Sequence, residues 1–164
     1  MSELGRFGVA TTYMAAGYNG LIDVPLIQIV PGSRIAGPAR TVQCAQDDNL
    51  MVHAVMERIE PGDVLVITMP SPTPVALMGE LLATQARRHG AAGVLIDAAV
   101  RDSADLVELR LPIWARYVRA TQAAKERLGA LDVPVVVGGI TVNPGDVIVL
   151  DSDGAVAVAA GRAA

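Results

Sequence analysis

The chain reads as a mixed α/β domain in which helices flank a β core, and three observations carry that reading. Apolar runs of strand length, such as Val64-Leu65-Val66-Ile67 and Gly93-Val94-Leu95-Ile96, recur between turns rich in glycine and proline. Helical patterns alternate with them: one opens at Gly79, runs through Glu80, Leu81, Leu82, Ala83 and Ala86, and is closed by Gly90. Finally, 52% of the 164 residues are hydrophobic, enough for a sizeable core, and the length suits one domain over 1–164 better than two.

Taken in order, residues 11–16 form a short helix ended by Gly17, and Asn19-Gly20 is a turn. Residues 35–44 are a strand whose Gly37-Pro38 pair suggests a bulge or an edge position. Asp47-Asp48-Asn49 caps a helix over 50–59, with Val52, Val55, Met56 and Ile59 on one face. Pro61-Gly62-Asp63-Val64 precedes an apolar strand, and the same four residue types return at Pro144-Gly145-Asp146-Val147. Three prolines between Met69 and Val75 forbid a helix and leave a stiff loop leading into the Gly79 helix. Residues 106–109 finish another short helix, and Pro112-Ile113-Trp114-Ala115 begins a strand. Residues 116–128 are polar, either loop or surface helix. Strands follow at 133–137 and 147–150, with Gly138-Gly139 as a turn or bulge between them. Asp151-Ser152-Asp153-Gly154 makes a hairpin turn before 155–158, and the tail from Ala160 is expected to fray.

Composition removes several function classes. Aromatic residues are 3%, the net charge is -4, and the basic residues are scattered, which argues against a nucleic-acid partner. The single cysteine, Cys44, forms no internal disulfide and supports no thiolate metal cluster. No stretch approaches the roughly 20 apolar residues of a membrane span, and the start lacks a signal-peptide pattern, so a cytoplasmic protein is expected. G-x-G-x-x-G and Walker-type loops are absent, against nicotinamide, flavin and P-loop chemistry and against the usual S-adenosylmethionine loop. His53 and His89 lack zinc-ligand spacing, and no serine lies in a G-x-S-x-G context.

Candidate chemistry gathers at 78–105. The N-terminus of the Gly79 helix offers N–H groups without intrahelical partners and the positive end of a dipole. The strand from Gly93 to Ile96 empties into Asp97-Ala98-Ala99-Val100-Arg101-Asp102, and charge past a strand's carboxyl end is where α/β proteins often build a site. Arg101 can clamp a carboxylate, Asp102 can ligate a hard cation, and Asp105 lies three residues on, on the same side of a first helical turn. The plain alternatives are a surface ion pair and acids that complement a helix dipole, which also covers Glu80.

The ordered words Gly37-Pro38-Ala39-Arg40-Thr41-Val42, Asp48-Asn49-Leu50, Pro61-Gly62-Asp63-Val64, Gly79-Glu80-Leu81-Leu82-Ala83, Val94-Leu95-Ile96-Asp97, Val100-Arg101-Asp102, Gly139-Ile140-Thr141-Val142 and Pro144-Gly145-Asp146 resemble the RraA-like family. That family includes 4-hydroxy-4-methyl-2-oxoglutarate / 4-carboxy-4-hydroxy-2-oxoadipate aldolases. The resemblance implies a swivelling β/β/α fold of the phosphohistidine-domain type, a homotrimer or hexamer with sites between subunits, and a class II pyruvate aldolase using Mg2+ or Mn2+. It further implies that the amides of Gly79, Glu80, Leu81 and Leu82 hold the carboxylate of a small 2-oxo acid. Arg101 would meet the carbonyl or enolate oxygen, Asp102 would ligate the metal, and Glu80 and Asp105 would orient its waters. Oxaloacetate decarboxylation should accompany aldol cleavage, through the same enolate. A non-catalytic branch of the family binds and inhibits a ribonuclease, typically with the metal-ligand aspartate replaced; this chain keeps Arg101-Asp102, which favours the enzyme. A dedicated oxaloacetate decarboxylase is the third reading. Two positions depart from the family pattern, Ala98 and Tyr117, where glycine is common.

Overall fold

The computed structural model describes residues 3–163. Its centre is a run of parallel strands: β2 (Ile35–Gln43), β3 (Val64–Thr68), β5 (Gly93–Val100) and β6 (Ile113–Val118), with β4 (Ala76–Met78) also parallel to β5. Antiparallel partners extend it on both sides. β1 (Ile27–Gln28) borders β6; β10 (Val147–Asp151) joins β2 and pairs with β11 (Gly154–Val158); and β7 (Ala130–Leu131) pairs with the end of β2. A separate hairpin is formed by β8 (Val135–Val137) and β9 (Ile140–Val142). The four helices are α1 (Val9–Ala15), α2 (Leu50–Val55), α3 (Glu80–Arg88) and α4 (Ser103–Leu109) among the described residues. The result is a mixed α/β single domain, as the sequence predicts.

Alternation along the strands separates the two larger of three buried clusters; the third, Val9, Ala36, Val149 and Val156, lies where α1 meets β10 and β11. Val42, Leu65, Ile67, Val94, Ile96, Ile113 and Ala115 face α2, α3 and α4, meeting Val52, Val55, Met56, Leu82, Ala83, Ala86 and Leu106. Their neighbours Val64, Val66, Leu95, Trp114, Ile148 and Leu150 face the β8–β9 hairpin through Val135, Val137 and Val142. Strands covered on both faces read as continuous apolar runs, which is why β3 and β5 are legible.

Several expectations are corrected. β2 as a whole lies inside the sheet with no bulge at Gly37-Pro38, but that pair has a strand partner on one side only, so the edge position holds locally. Residues Ile35 to Pro38 of β2 pair with β10 and those from Ala39 onward pair with β3, so Pro38 stands where one partner hands over to the next. Gly37 is needed there because a Cβ would come within 2.2 Å of the Gly62 carbonyl oxygen. The helix expected over 50–59 is α-helical only through Val55, with a 3-10 turn at Met56–Arg58; its expected apolar face is buried. β5 does not stop at Ile96. It continues through Asp97 and Ala98 to Val100, because β4 and β6 supply partners for its second half. Ala98 therefore lies fully buried in a strand rather than in a loop. The proline loop leads into β4, which was not anticipated, and only then into α3. The stretch 116–128 begins as the end of β6 and then runs without helix. β9 was missed; Gly138 and Gly139, both at positive φ, form the turn that joins it to β8. The tail is a 3-10 turn at Ala160–Arg162, held where the Ala160 N–H donates to Asp146 Oδ1 at 3.2 Å; Ala164 lies outside the described residues. No helix of the described residues is long and apolar enough to cross a membrane.

The repeated Pro-Gly-Asp-Val words share one device. Asp63 Oδ2 accepts the N–H of Glu60 at 2.9 Å, and Asp146 Oδ2 accepts that of Asn143 at 2.8 Å, each closing a turn in which Gly62 or Gly145 takes a positive φ. The strands they deliver differ, since β3 is parallel to both neighbours and β10 antiparallel to both.

Candidate active site

Strand β4 ends at Met78 and hands the chain to α3 through Gly79, while β5 ends at Val100 beside it. The Arg101 N–H donates to the Met78 carbonyl at 3.1 Å, so the ends of the two strands are tied together. Asp102 then takes the left-handed conformation, φ 57° and ψ 40°, which aspartate tolerates better than most residues. Its backbone carbonyl starts α4 by accepting the Leu106 N–H at 2.9 Å. Its side chain turns the other way, and Oδ2 accepts the Glu80 N–H at 3.0 Å. One residue thus opens one helix with its backbone and caps another with its carboxylate.

Arg101 Nε lies 3.8 Å from the same Oδ2. Gly79 makes this crowding possible: a Cβ there would stand 2.6 Å from Asp102 Oδ2 and 3.0 Å from Arg101 Cγ. Arg101 and Asp102 keep 45% and 39% of their side-chain surface exposed, so both remain open to a ligand.

These groups border a cavity of about 250 Å³. Gly79, Leu81, Leu82, Arg101 and Asp102 form one side of its lining, α2 contributes Asn49 and His53, and the irregular stretch after β6 contributes Gln122 and Lys125. The sequence-derived residues Gly79, Leu81, Leu82, Arg101 and Asp102 therefore come together. Glu80 joins them through its backbone, while its side chain accepts the Thr84 hydroxyl at 3.0 Å. Asp105 does not share a face with Asp102. Asp102 precedes the helix, and Asp105, with Glu80, borders a separate hollow between α3 and α4 that Arg87 and Glu108 also line.

His53, set aside in the sequence for want of ligand spacing, borders the cavity; burial first, and the charge of Lys125 second, hold its pKa below the ordinary histidine value. It is neutral at neutral pH, and the charged side chains of the lining are Arg101, Lys125 and Asp102. Asn49, Gln122 and Lys125 were not singled out either. They come from segments distant in sequence, and the polar stretch carrying two of them has no periodicity to mark it.

Other titratable groups stand apart from the cavity lining. Burial raises the Asp97 carboxyl above its ordinary value against the pull of Arg116, whose Nη1 lies 3.1 Å away. Burial likewise pushes the Cys44 thiol up to about 12, which leaves it protonated and a poor nucleophile.

Among the described residues no three His, Cys, Asp or Glu side chains cluster as a metal cage. The donor set still fits a hard, magnesium-like ion: Asp102 is a half-exposed carboxylate beside open volume, and such ions keep several waters and take one or two protein carboxylates.

A profile of the RraA-like family, described as Aldolase/RraA, matches residues 11–157. The chain belongs to the RraA-like family. A curated relative from Halalkalibacterium halodurans, called "Putative 4-hydroxy-4-methyl-2-oxoglutarate aldolase", is 33% identical over 156 residues, covering 94% of this chain and 74% of its own. Among solved structures, Streptomyces coelicolor RraAS2, described as an unusual member of the RNase ES inhibitor RraA protein family, superposes with a TM-score of 0.86 at 32% identity, over 98% of this chain and 85% of that one. The RNA-processing inhibitor RraA from Thermus thermophilis gives 0.80 at 33% identity, over 90% and 91%. The RraA-like chain described here thus has relatives named for lyase chemistry and others named for ribonuclease inhibition.

Proposed function

We propose that this RraA-like protein is a divalent-cation-dependent class II aldolase that cleaves 4-hydroxy-2-oxo diacids of the 4-hydroxy-4-methyl-2-oxoglutarate type to pyruvate. One observation carries the reading: Asp102 lies 3.0 Å from the Glu80 N–H and 3.8 Å from Arg101 Nε, at the edge of a cavity sized for a small acid. A bound Mg2+ or Mn2+ would be held by Asp102 and would supply Lewis-acid polarisation of the 2-oxo group.

The chain's own residues do the remainder. The amides of Leu81 and Leu82, in the first turn of α3 and without acceptors in the helix, receive the C1 carboxylate with the helix dipole behind them. Arg101 donates to the C2 oxygen. When the C3–C4 bond breaks, the 4-hydroxyl gives its proton to a solvent water in the open cavity and C4 becomes a carbonyl. The bonding pair moves to C3, with negative charge on the C2 oxygen, where Arg101 stabilises it. Protonation at C3 then gives pyruvate. Oxaloacetate reaches the same enolate by losing carbon dioxide, so it is decarboxylated as a side reaction. Lys125 faces the second carboxylate of the diacid, since Arg101 and the amides are committed to the other end. A second copy of the chain closes the exposed side of Arg101 and Asp102, as in a trimer or a pair of trimers.

The test is pyruvate release from 4-hydroxy-4-methyl-2-oxoglutarate and from oxaloacetate. The wild type should be active with Mg2+ or Mn2+ and silent after EDTA. Asp102→Asn, which keeps a residue suited to the left-handed backbone, should abolish release, and Arg101→Ala should lower kcat by roughly 10² to 10³. A wild type that releases no pyruvate yet inhibits a ribonuclease without metal would replace this reading with the regulator.

A further inference from the structure

The stretch 119–129 supplies Gln122 and Lys125 to the cavity, yet it has no helix and residues 124–129 are exposed. Only Ala123 packs against the core, so the segment is held mainly by its backbone bonds. At its start the Ala76 N–H donates to the Thr121 carbonyl at 2.9 Å. At its end Gly129 lies so close to the Gln43 carbonyl that a Cβ would come within 1.9 Å of the oxygen.

Between these anchors the backbone N–H and carbonyl groups of the segment are held through Asp47-Asp48-Asn49, and the Arg127 side chain adds one bond, Nη2 donating to the Gln46 carbonyl at 3.2 Å. The Asn49 N–H donates to the Ala124 carbonyl at 2.8 Å, and the Ala124 N–H to the Asp47 carbonyl at 2.9 Å. Asp48, completely buried, accepts the N–H groups of Glu126 at 2.8 Å and Arg127 at 2.9 Å on Oδ2, and that of Leu50 at 2.9 Å on Oδ1. Burial opposes its charge, but the three donors outweigh that and hold the carboxyl below its ordinary range. Such a carboxylate is stable only while its donors stay in place, so it couples the start of α2, which carries Asn49 and His53, to the segment that carries Lys125.

We propose that Asp48 is a positioning residue for substrate recognition: by clamping the two peptide N–H groups that follow Lys125, it sets where that cation meets the distal carboxylate of a 2-oxo diacid. The inference rests on the aldolase reading above and adds a specificity element that touches no substrate. Asp48→Asn tests it with little change of volume. An amide has one acceptor oxygen and turns an NH2 group toward donors, so it cannot serve Leu50 and the Glu126–Arg127 pair together.

Two readouts apply. Backbone amide exchange, followed by NMR, should show Glu126 and Arg127 protected in the wild type and released in Asp48→Asn, while β3 and β5 stay protected. In steady-state kinetics the variant should raise KM for 4-hydroxy-4-methyl-2-oxoglutarate roughly tenfold at nearly unchanged kcat. It should leave KM for the monoacid 4-hydroxy-2-oxopentanoate as it was. Lys125→Ala should do the same, and the double variant should be no worse than either alone. Unprotected Glu126 and Arg127 amides in the wild type overturn the clamp whether or not the variant folds. A variant that loses kcat equally on both substrates, or keeps wild-type KM on the diacid, overturns the specificity role. A wild type inactive on both substrates overturns the aldolase reading instead, and the exchange data still decide the clamp.

Discussion

Gly79→Ala is the sharpest probe of the site. Gly79 has φ -134° and ψ -164°, an extended conformation open to any residue, so alanine adds no backbone strain. The entire effect comes from the new methyl. It would sit 2.6 Å from Asp102 Oδ2, where ordinary contact begins near 3.4 Å, so the carboxylate must retreat by about 0.8 Å or the backbone must give. The Asp102 bond to the Glu80 N–H is 3.0 Å and tolerates only about 0.5 Å of lengthening before it is lost. Arg101 Cγ and Nε, at 3.0 and 3.1 Å, are pushed as well. Because Asp102 and Arg101 are partly exposed, both can swing into solvent, and the stability cost should stay near 1 kcal/mol, the low end for overpacking. Displacement of catalytic groups by nearly 1 Å should cost on the order of 10² in turnover. A coupled assay of pyruvate release beside a thermal melt measures both. A variant that keeps turnover within threefold of wild type would refute the geometry, and so would one that unfolds while losing activity.

Two further outcomes are expected. The His53 pKa lies below its unfolded value, so the neutral form is favoured on folding; the stability it contributes is present above pH 6.5 and lost as pH falls through the lowered pKa. Lys125→Ala removes one of the two causes and should raise that pKa in an NMR titration; an unchanged titration would mean the two side chains do not interact. Trp114 Nε1 donates to the buried Asp151 carbonyl at 2.9 Å, so Trp114→Phe should lower stability by about 1–3 kcal/mol in denaturant melts, with pyruvate release unaffected; an unchanged midpoint would contradict it.

The cores of β3 and β5, the α3 cap at Gly79 and the pair Arg101-Asp102 were legible in the amino-acid order because local rules govern them. A strand buried on both faces is an apolar run, a helix must open and close, and two adjacent residues cannot be far apart. Tertiary structure decided what those rules do not reach. Asp97 became part of a strand because β4 and β6 offered partners and Arg116 offered a charge. Asp105 went to another hollow because Asp102 took a left-handed turn ahead of α4. His53, Asn49 and Lys125 entered the cavity because a buried carboxylate at Asp48 ties α2 to an irregular segment more than 70 residues away. Periodicity reports what a residue's near neighbours require, and it is silent about a hydrogen bond whose partner lies across the fold.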